Sequence, residues 1–546
     1  MRPRRCTRSL ALLWLAGLSL ALGLLMQAAA PASGKERLRR LVRLPRVSFQ
    51  IGVGFDSRRG FGMTLTTPGA GGEIEDLRKA MEGDGRDAPR YQRLGALYYD
   101  LADSAQARQA WLRAVELYRR QGAEQSDNAT LLVGLGEVLG ALGRAEEAER
   151  LLRKAVKVAP GDWRPQAALG RFLASQTVVA IALDAHRALD SSAIAAAGGQ
   201  SAEARLEPAQ AEKGRKLIAE ALACQDRAVE FAPQEVEPYI SRAGARCVHA
   251  ALNAVLAAAG WDESQDTLAW TKFLAPAALS DLQTAVRLNG RDFRLLAAAA
   301  LYEVFLAAGE HGLARMEDLA RGAVWGLLPD GTRQSVRKAM DRLEDLTQGS
   351  EARPAAGALE ALGILQYLVV RDLRGAESSL RRAVALDPAR EQAWETLILL
   401  LALSDRPAEL LPVCEARLKQ RDTAHNRVLV AKACEQLNLQ DRTLAEGEAA
   451  QRRYPDDLTA NLALVAALLK YNSEPVVLLR AAQLLSKAEQ LLGASASRDE
   501  LVNVLVIRGL FFGLADRPDD ARAHLRKGLE LDPDHPQARE ALELLE

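Results

Sequence analysis

The chain has 546 residues, enough for several globular domains or one extended array, and its 71 basic and 71 acidic residues cancel. That balance excludes the net basic charge that commonly marks a nucleic-acid-binding protein. Aromatic residues make up 5%, alanine, leucine, arginine and glutamate dominate, and apolar residues recur at helical spacing, so most of the chain is expected to be helix.

Residues 1–30 read as an export segment. Arg2, Arg4, Arg5 and Arg8 form a basic start, Leu10 to Met26 an apolar run, and Ala28-Ala29-Ala30 offers the small residues at which a signal peptidase cuts. Left uncut, residues 10–30 are almost long enough to cross a bilayer, which makes a signal anchor and a membrane tether the alternative. The expected location is periplasmic, cell-envelope or secreted, or membrane-anchored.

Residues 31–87 follow as a basic linker with Lys35, Arg37, Arg39, Arg40, Arg43 and Arg46, then a β-hairpin and a flexible link. Over 47–66 the pattern turns from helical to alternate. Val47, Phe49, Ile51, Val53 and Phe55 point one way, and after Asp56 to Gly60 the alternation resumes with Phe61, Met63 and Leu65. A lone hairpin needs its apolar face covered. The first helices of the array can cover it, or its exposed edge can pair with a strand of another protein.

From Ala88 the chain repeats itself. Leu135-Gly136 recurs 34 residues later as Leu169-Gly170, and Ala148, Leu152, Ala155 and Pro160 follow Gly136 by 12, 16, 19 and 24 residues. Leu94-Gly95, Tyr98, Ala107, Trp111 and Ala114 form an earlier copy. Leu362-Gly363 with Ala376 and Leu380, and Gly509 with Ala521 and Leu525, are later ones. The third repeat is interrupted after Leu173, and the fourth carries Arg242-Ala243 in place of Leu-Gly. Phe293 to Ala308 forms a further first helix, for which Leu313 to Leu327 and Thr332 to Leu346 compete as partner.

This pattern resembles the tetratricopeptide repeat (TPR), a pair of antiparallel helices with a period of 34. The resemblance implies an all-α fold, a right-handed superhelical solenoid of antiparallel helix pairs, with the small hairpin at its start. Residues 88–308 form an N-terminal array with long insertions, 309–355 a helical insertion, 356–535 a C-terminal array and 536–546 a capping helix.

The resemblance further implies that first helices line a concave groove for protein or peptide ligands. It places exposed groove positions at Gln92, Tyr99, Asp100, Glu137, Arg164, Arg171, Glu360, Tyr367, Gln392 and Glu395. The Lys/Asn/Arg set with which some family members grip a C-terminal carboxylate is missing, since Gln92, Ala96, Val133 and Glu137 stand at the matching positions.

No phosphate-binding glycine loop, nucleophile elbow, zinc-protease helix or calcium loop is present, and no enzyme, cofactor or metal is expected. His524 and His535 are read as surface residues rather than ligands of a shared metal. Beyond the export segment the cysteines are Cys224, Cys247, Cys414 and Cys434. An oxidising compartment would permit a Cys414–Cys434 disulfide, whereas a small buried apolar role is the other reading. The function expected is an exported or membrane-tethered scaffold for protein or peptide partners in envelope assembly or secretion. Two alternatives stay open: a structural protein that self-associates through its hairpin, and an enzyme with a site in the 174–214 or 309–350 insertions. The sequence does not indicate the oligomeric state.

Overall fold

A computed structural model describes residues 38–39, 41–44, 54–56, 60–62, 70–81, 87–100, 104–177, 208–258, 275–310, 324–349, 352–404, 406–472, 474–492, 498–533 and 535–546. The expected export segment 1–30 lies outside them, as does most of the insertion in the third repeat. Among the described residues, no helix is long and apolar enough to cross a membrane. The chain divides into two compact units, Gln50–Leu397 and Ile398–Glu546, the second also including the described residues 38–39 and 41–44.

In the first unit, strands β1 (Gly54–Asp56) and β2 (Gly60–Gly62) pair antiparallel with Asp56 opposite Gly60. The rest of the expected 47–66 hairpin lies outside the described residues. Helices α1 (Ala70–Met81), α2 (Ala88–Asp100), α3 (Ser104–Arg120), α4 (Ala129–Ala141), α5 (Ala145–Val158) and α6 (163–177) follow. Next come α7 (Pro208–Phe231), α8 (Val236–Ala258), α9 (Pro276–Leu288) and α10 (Phe293–Glu310). They lead to α11 (Asp330–Gly349), α12 (Ala352–Leu365) and α13 (Leu373–Leu386). β2 runs beside α8 rather than beside the first helices of the array. Of the two candidate partners for α10, the segment from Thr332 packs on it as part of α11, and most of the other, 313–327, lies outside the described residues.

Helix α14 (Glu391–Leu403) crosses from the first unit to the second. The pairs α15 (Pro407–Gln420), α16 (Ala424–Gln436), α17 (Gln440–Arg453), α18 (Leu458–Tyr471), α19 (Pro475–Leu491), α20 (Arg498–Leu514) and α21 (Pro518–Leu531) continue to the closing helix α22 (Pro536–Leu545). Their ends are written in the sequence. Asn128, Asp372, Thr423 and Asp457 accept backbone N–H bonds as N-caps, and proline opens α15, α19, α21 and α22, where its missing N–H costs nothing. His535 is a cap as well: it is buried and accepts from the Ala538 N–H, which corrects its reading as a surface residue.

The Leu-Gly positions show why the repeat needs glycine. A Cβ on Gly136 would lie 2.8 Å from Leu152 Cγ, and one on Gly509 would lie 2.7 Å from Leu525 Cγ. In both pairs the small residue lets the second helix press its leucine onto the first helix's backbone. Gly363 meets Leu380 Cγ at the same 2.8 Å although its partner comes one residue late in sequence. The extra residue is absorbed by a π-turn at Gln366–Val370, closed by Arg371 at φ 64°.

Where Leu-Gly is replaced, the packing changes in kind. Arg242 Nη2 and Arg246 Nη1 each donate to the buried carboxylate of Asp281 at 2.7 Å, so an ionic cluster holds α8 to α9. In the third repeat Gly170 faces Gln225, which is buried and donates to the Ala167 carbonyl at 3.0 Å.

The cysteines correct the disulfide reading. Cys414 and Cys434 are free and buried, as are Cys224 and Cys247. They fill the helix packing as small buried side chains, Cys247 with its Sγ 3.2 Å from Tyr302 Oη, and burial pushes the thiols of Cys247 and Cys414 up to about 12. Labelling of these two at pH 8 should be slower in the folded than in the unfolded chain by about three orders of magnitude; fast labelling of the folded chain would contradict their burial. Their folded values lie above their unfolded ones, so the stability they contribute is complete below the ordinary thiol value and is lost as pH rises toward 12. Thermal midpoints measured from pH 8 to 11 should therefore fall further in the wild type than in the Cys247→Ala/Cys414→Ala variant.

Candidate functional site

First helices α2, α4, α6 and α8 of the first unit carry a continuous polar ladder. Tyr118 of α3 donates through Oη to Gln92 Oε1 at 2.8 Å, and Gln92 Nε2 donates to Glu137 Oε2 at 2.9 Å. Arg171 Nη2 donates to Glu137 Oε1 at 2.7 Å. Its Nη1 donates to Glu237 Oε1 at 2.8 Å and Ser241 Oγ at 3.1 Å. Burial, then the charge of Glu137, holds the Tyr118 hydroxyl well above its usual range, so it remains a donor. Burial works against the Arg171 charge, but Glu137 and Glu237 outweigh it and raise its pKa.

Beside this ladder lies a cleft of about 360 Å³. Its floor is made where residues are small: Gly140, Ala141, Ala145 and Ala168 leave room over Leu152 and Phe172, and a Cβ on Gly140 would come within 3.3 Å of the Phe172 ring. Its rim is polar, with Tyr99, Glu137, Arg171, Ser175 and Gln176. The Tyr99 ring is carried against Trp111, with centroids 5.8 Å apart. Such a hollow suits one apolar side chain of a polypeptide, with hydrogen-bonding groups around it for the main chain. Arg171 is already shared between two carboxylates, so it does not offer the open guanidinium that a carboxylate clamp requires.

Of the groove residues read from sequence, Tyr99, Glu137 and Arg171 line this cleft and Gln92 orders it from behind. Asp100 ends α2, and its side chain is outside the described residues. Arg164 is exposed, lies 3.8 Å from Asp162 and stacks over Trp163, outside the cleft. Three positions are corrected: Glu360, Tyr367 and Gln392 are buried rather than exposed. Glu360 is enclosed with Arg390, whose Nε donates to it at 2.8 Å. Tyr367 sits in the π-turn under Arg371. Glu395 is half-buried on α14. The sequence reading missed Tyr118, Gly140, Phe172, Glu237 and Ser241. A signal for the ladder existed, since Glu137 and Arg171 are opposite charges 34 residues apart, one repeat length, on equivalent faces.

A second hollow, of about 310 Å³, is formed by α9, α10 and α11 around Gln283, Arg287, Glu303, Ser335, Lys338 and Arg342. Burial pushes the Glu303 carboxyl up, against hydrogen bonds from Ser335, Thr332 and Gln283. Among the described residues, no group of three or more His, Cys, Asp or Glu is placed to hold a metal ion.

Comparison with known proteins bears on the same region. No curated protein matches the chain. Among solved structures, a tetratricopeptide repeat protein from Parabacteroides merdae is 14% identical over 49% of this chain and 91% of its own, with a TM-score of 0.33. Yeast Tom70 is 13% identical over 84% of this chain and 94% of its own, with a TM-score of 0.30. An IFIT1 monomeric mutant with m7Gppp-AAAA is 13% identical over 93% of this chain and 90% of its own, with a TM-score of 0.34. At these identities and TM-scores the likeness does not bear on what this chain does. The tetratricopeptide repeat family model matches residues 87–160, and it is there, over α2 to α5, that sequence match and helix packing point to the same repeat.

Proposed function

We propose that this protein is a non-catalytic helical-repeat scaffold that binds a polypeptide segment of a partner protein across α2, α4 and α6, seating one apolar side chain in the cleft. The observation that carries this reading is the convergence of Tyr99, Glu137 and Arg171 on one hollow with an apolar floor and a polar rim. The rim's charges are satisfied among themselves, which favours a ligand recognised by shape and main-chain hydrogen bonds over an anion or a phosphate. The basic start and apolar run of residues 2–30 support a place outside the cytoplasm or on a membrane, with a partner in the cell envelope or a secretion assembly.

The test is photocrosslinking in the source cells. A crosslinking amino acid at Tyr99 should capture a discrete polypeptide, whereas the same group at Leu112, 48% exposed on the second helix of that pair, should not. Equal capture from both positions would overturn the assignment. Sequencing the N-terminus of the recovered protein tests the location: a start near Pro31, or a Met1 start in the membrane fraction, agrees with it, and a Met1 start in the soluble cytoplasm contradicts it.

A further inference from the structure

The second unit holds a peptide already. In the segment 38–44, which sequence reading assigns to a basic linker, the Val42 N–H donates to the Arg39 carbonyl at 3.0 Å, the bond of a single turn. Leu38, Val42 and Leu44 are 4%, 0% and 3% exposed, whereas Arg43 points to solvent. Leu38 and Val42 belong to the same apolar core as residues of α18, α20 and α22.

The seat is shaped for this segment. A Cβ on Gly513 would fall 3.1 Å from Leu38 Cδ1, so the absence of a side chain there makes room for the leucine. Gln537 Nε2 donates to the Leu41 carbonyl at 2.7 Å, and the buried carboxylate of Glu435 accepts the Leu44 N–H at 3.2 Å. Glu435 is itself held by Lys470 at 2.6 Å. The segment's main chain is therefore held at Leu41 by the closing helix and at Leu44 by α16, with its apolar side chains down. Apolar side chains in pockets with the backbone hydrogen-bonded by buried side chains is how peptide ligands are recognised.

We propose that the face built by Glu435, Gly513 and Gln537 is a peptide-binding site, separate from the cleft at Tyr99, and that residues 38–44 of this same chain are its ligand, bound as an intramolecular latch. The recognised chemistry is one turn carrying apolar residues at the spacing of Leu38, Val42 and Leu44 with arginines between them. While the latch is seated, the site is closed to a second peptide of that kind.

The experiment uses the full chain and a fluorescent peptide of residues 35–46. The Leu38→Asp/Val42→Asp variant, its latch released, should bind the peptide at least about tenfold more tightly than the wild type does. Adding Glu435→Ala and Gln537→Ala to that variant should weaken the binding again by about tenfold. Equal binding to wild type and released variant, or no binding to either, overturns the proposal. Hydrogen exchange guards against a variant that fails to fold. The Val42 and Leu44 amides should be protected in the wild type and lose protection in Gly513→Val, whose side chain takes the place of Leu38, while amides of α18 stay protected. Unprotected Val42 and Leu44 amides in the wild type would equally refute the latch.

Discussion

Glu360→Ala is expected to destabilise the first unit by about 3–5 kcal/mol, seen as a lower midpoint of its melting transition. Glu360 and Arg390 are 1% and 0% exposed in their side chains, and their single 2.8 Å bond is the only one Arg390 makes with it. Among the described residues Arg390 Nη1 and Nη2 lack hydrogen-bond partners, and the guanidinium lies 5.6 Å from the Phe293 ring centroid. Removing the carboxylate would leave that cation buried with no ion pair among the described residues. Burial pushes the Glu360 carboxyl up, against the pull of Arg390. Replacing both partners with apolar residues of similar volume, Glu360→Leu/Arg390→Met, should therefore recover most of the loss. A single variant as stable as the wild type would contradict the enclosed pair.

Trp111→Ala is expected to cost about 3–5 kcal/mol in the first helix pair. The indole is buried and fills the space that Gly95 leaves open: a Cβ on Gly95 would clash with its Cδ1. It also carries the Tyr99 ring at the mouth of the cleft, so the variant should lose partner capture as well as stability. Gly95→Ala attacks the same contact from the other side and should destabilise despite its better helix propensity, which returns only up to about 1 kcal/mol. Thermal melting of both variants checks this, and a Gly95→Ala chain more stable than the wild type would refute the close packing.

Local pattern made the helix pairs legible. Gly136, Ala148 and Leu152 stand at spacings that put them face to face, and they are found so. Gly363 reaches Leu380 by way of a π-turn that periodicity alone did not reveal, because one added residue in a helix leaves the apolar pattern on either side intact. The groove was legible only in the N-terminal pairs. Family register places Glu360 and Gln392 on an exposed face, but exposure depends on what packs there, and Arg390 reaches over from the next pair to enclose Glu360. Least legible was the seat of residues 38–44. Leu44 and Glu435 are 391 residues apart, and a single turn of basic and apolar residues has too short a pattern to announce where it docks. The cysteines were ambiguous for a related reason: alanine-rich helices accept a buried thiol as readily as a bridge, and only packing distinguishes them.

The most direct test of the scaffold reading is the affinity, by calorimetry, of the captured partner segment for the wild type and for Gly140→Leu, whose side chain would fill the hollow over Phe172. The cleft assignment predicts a loss of at least about tenfold in affinity with the helix content unchanged. Unaltered affinity in a folded Gly140→Leu chain would contradict it and place the partner elsewhere.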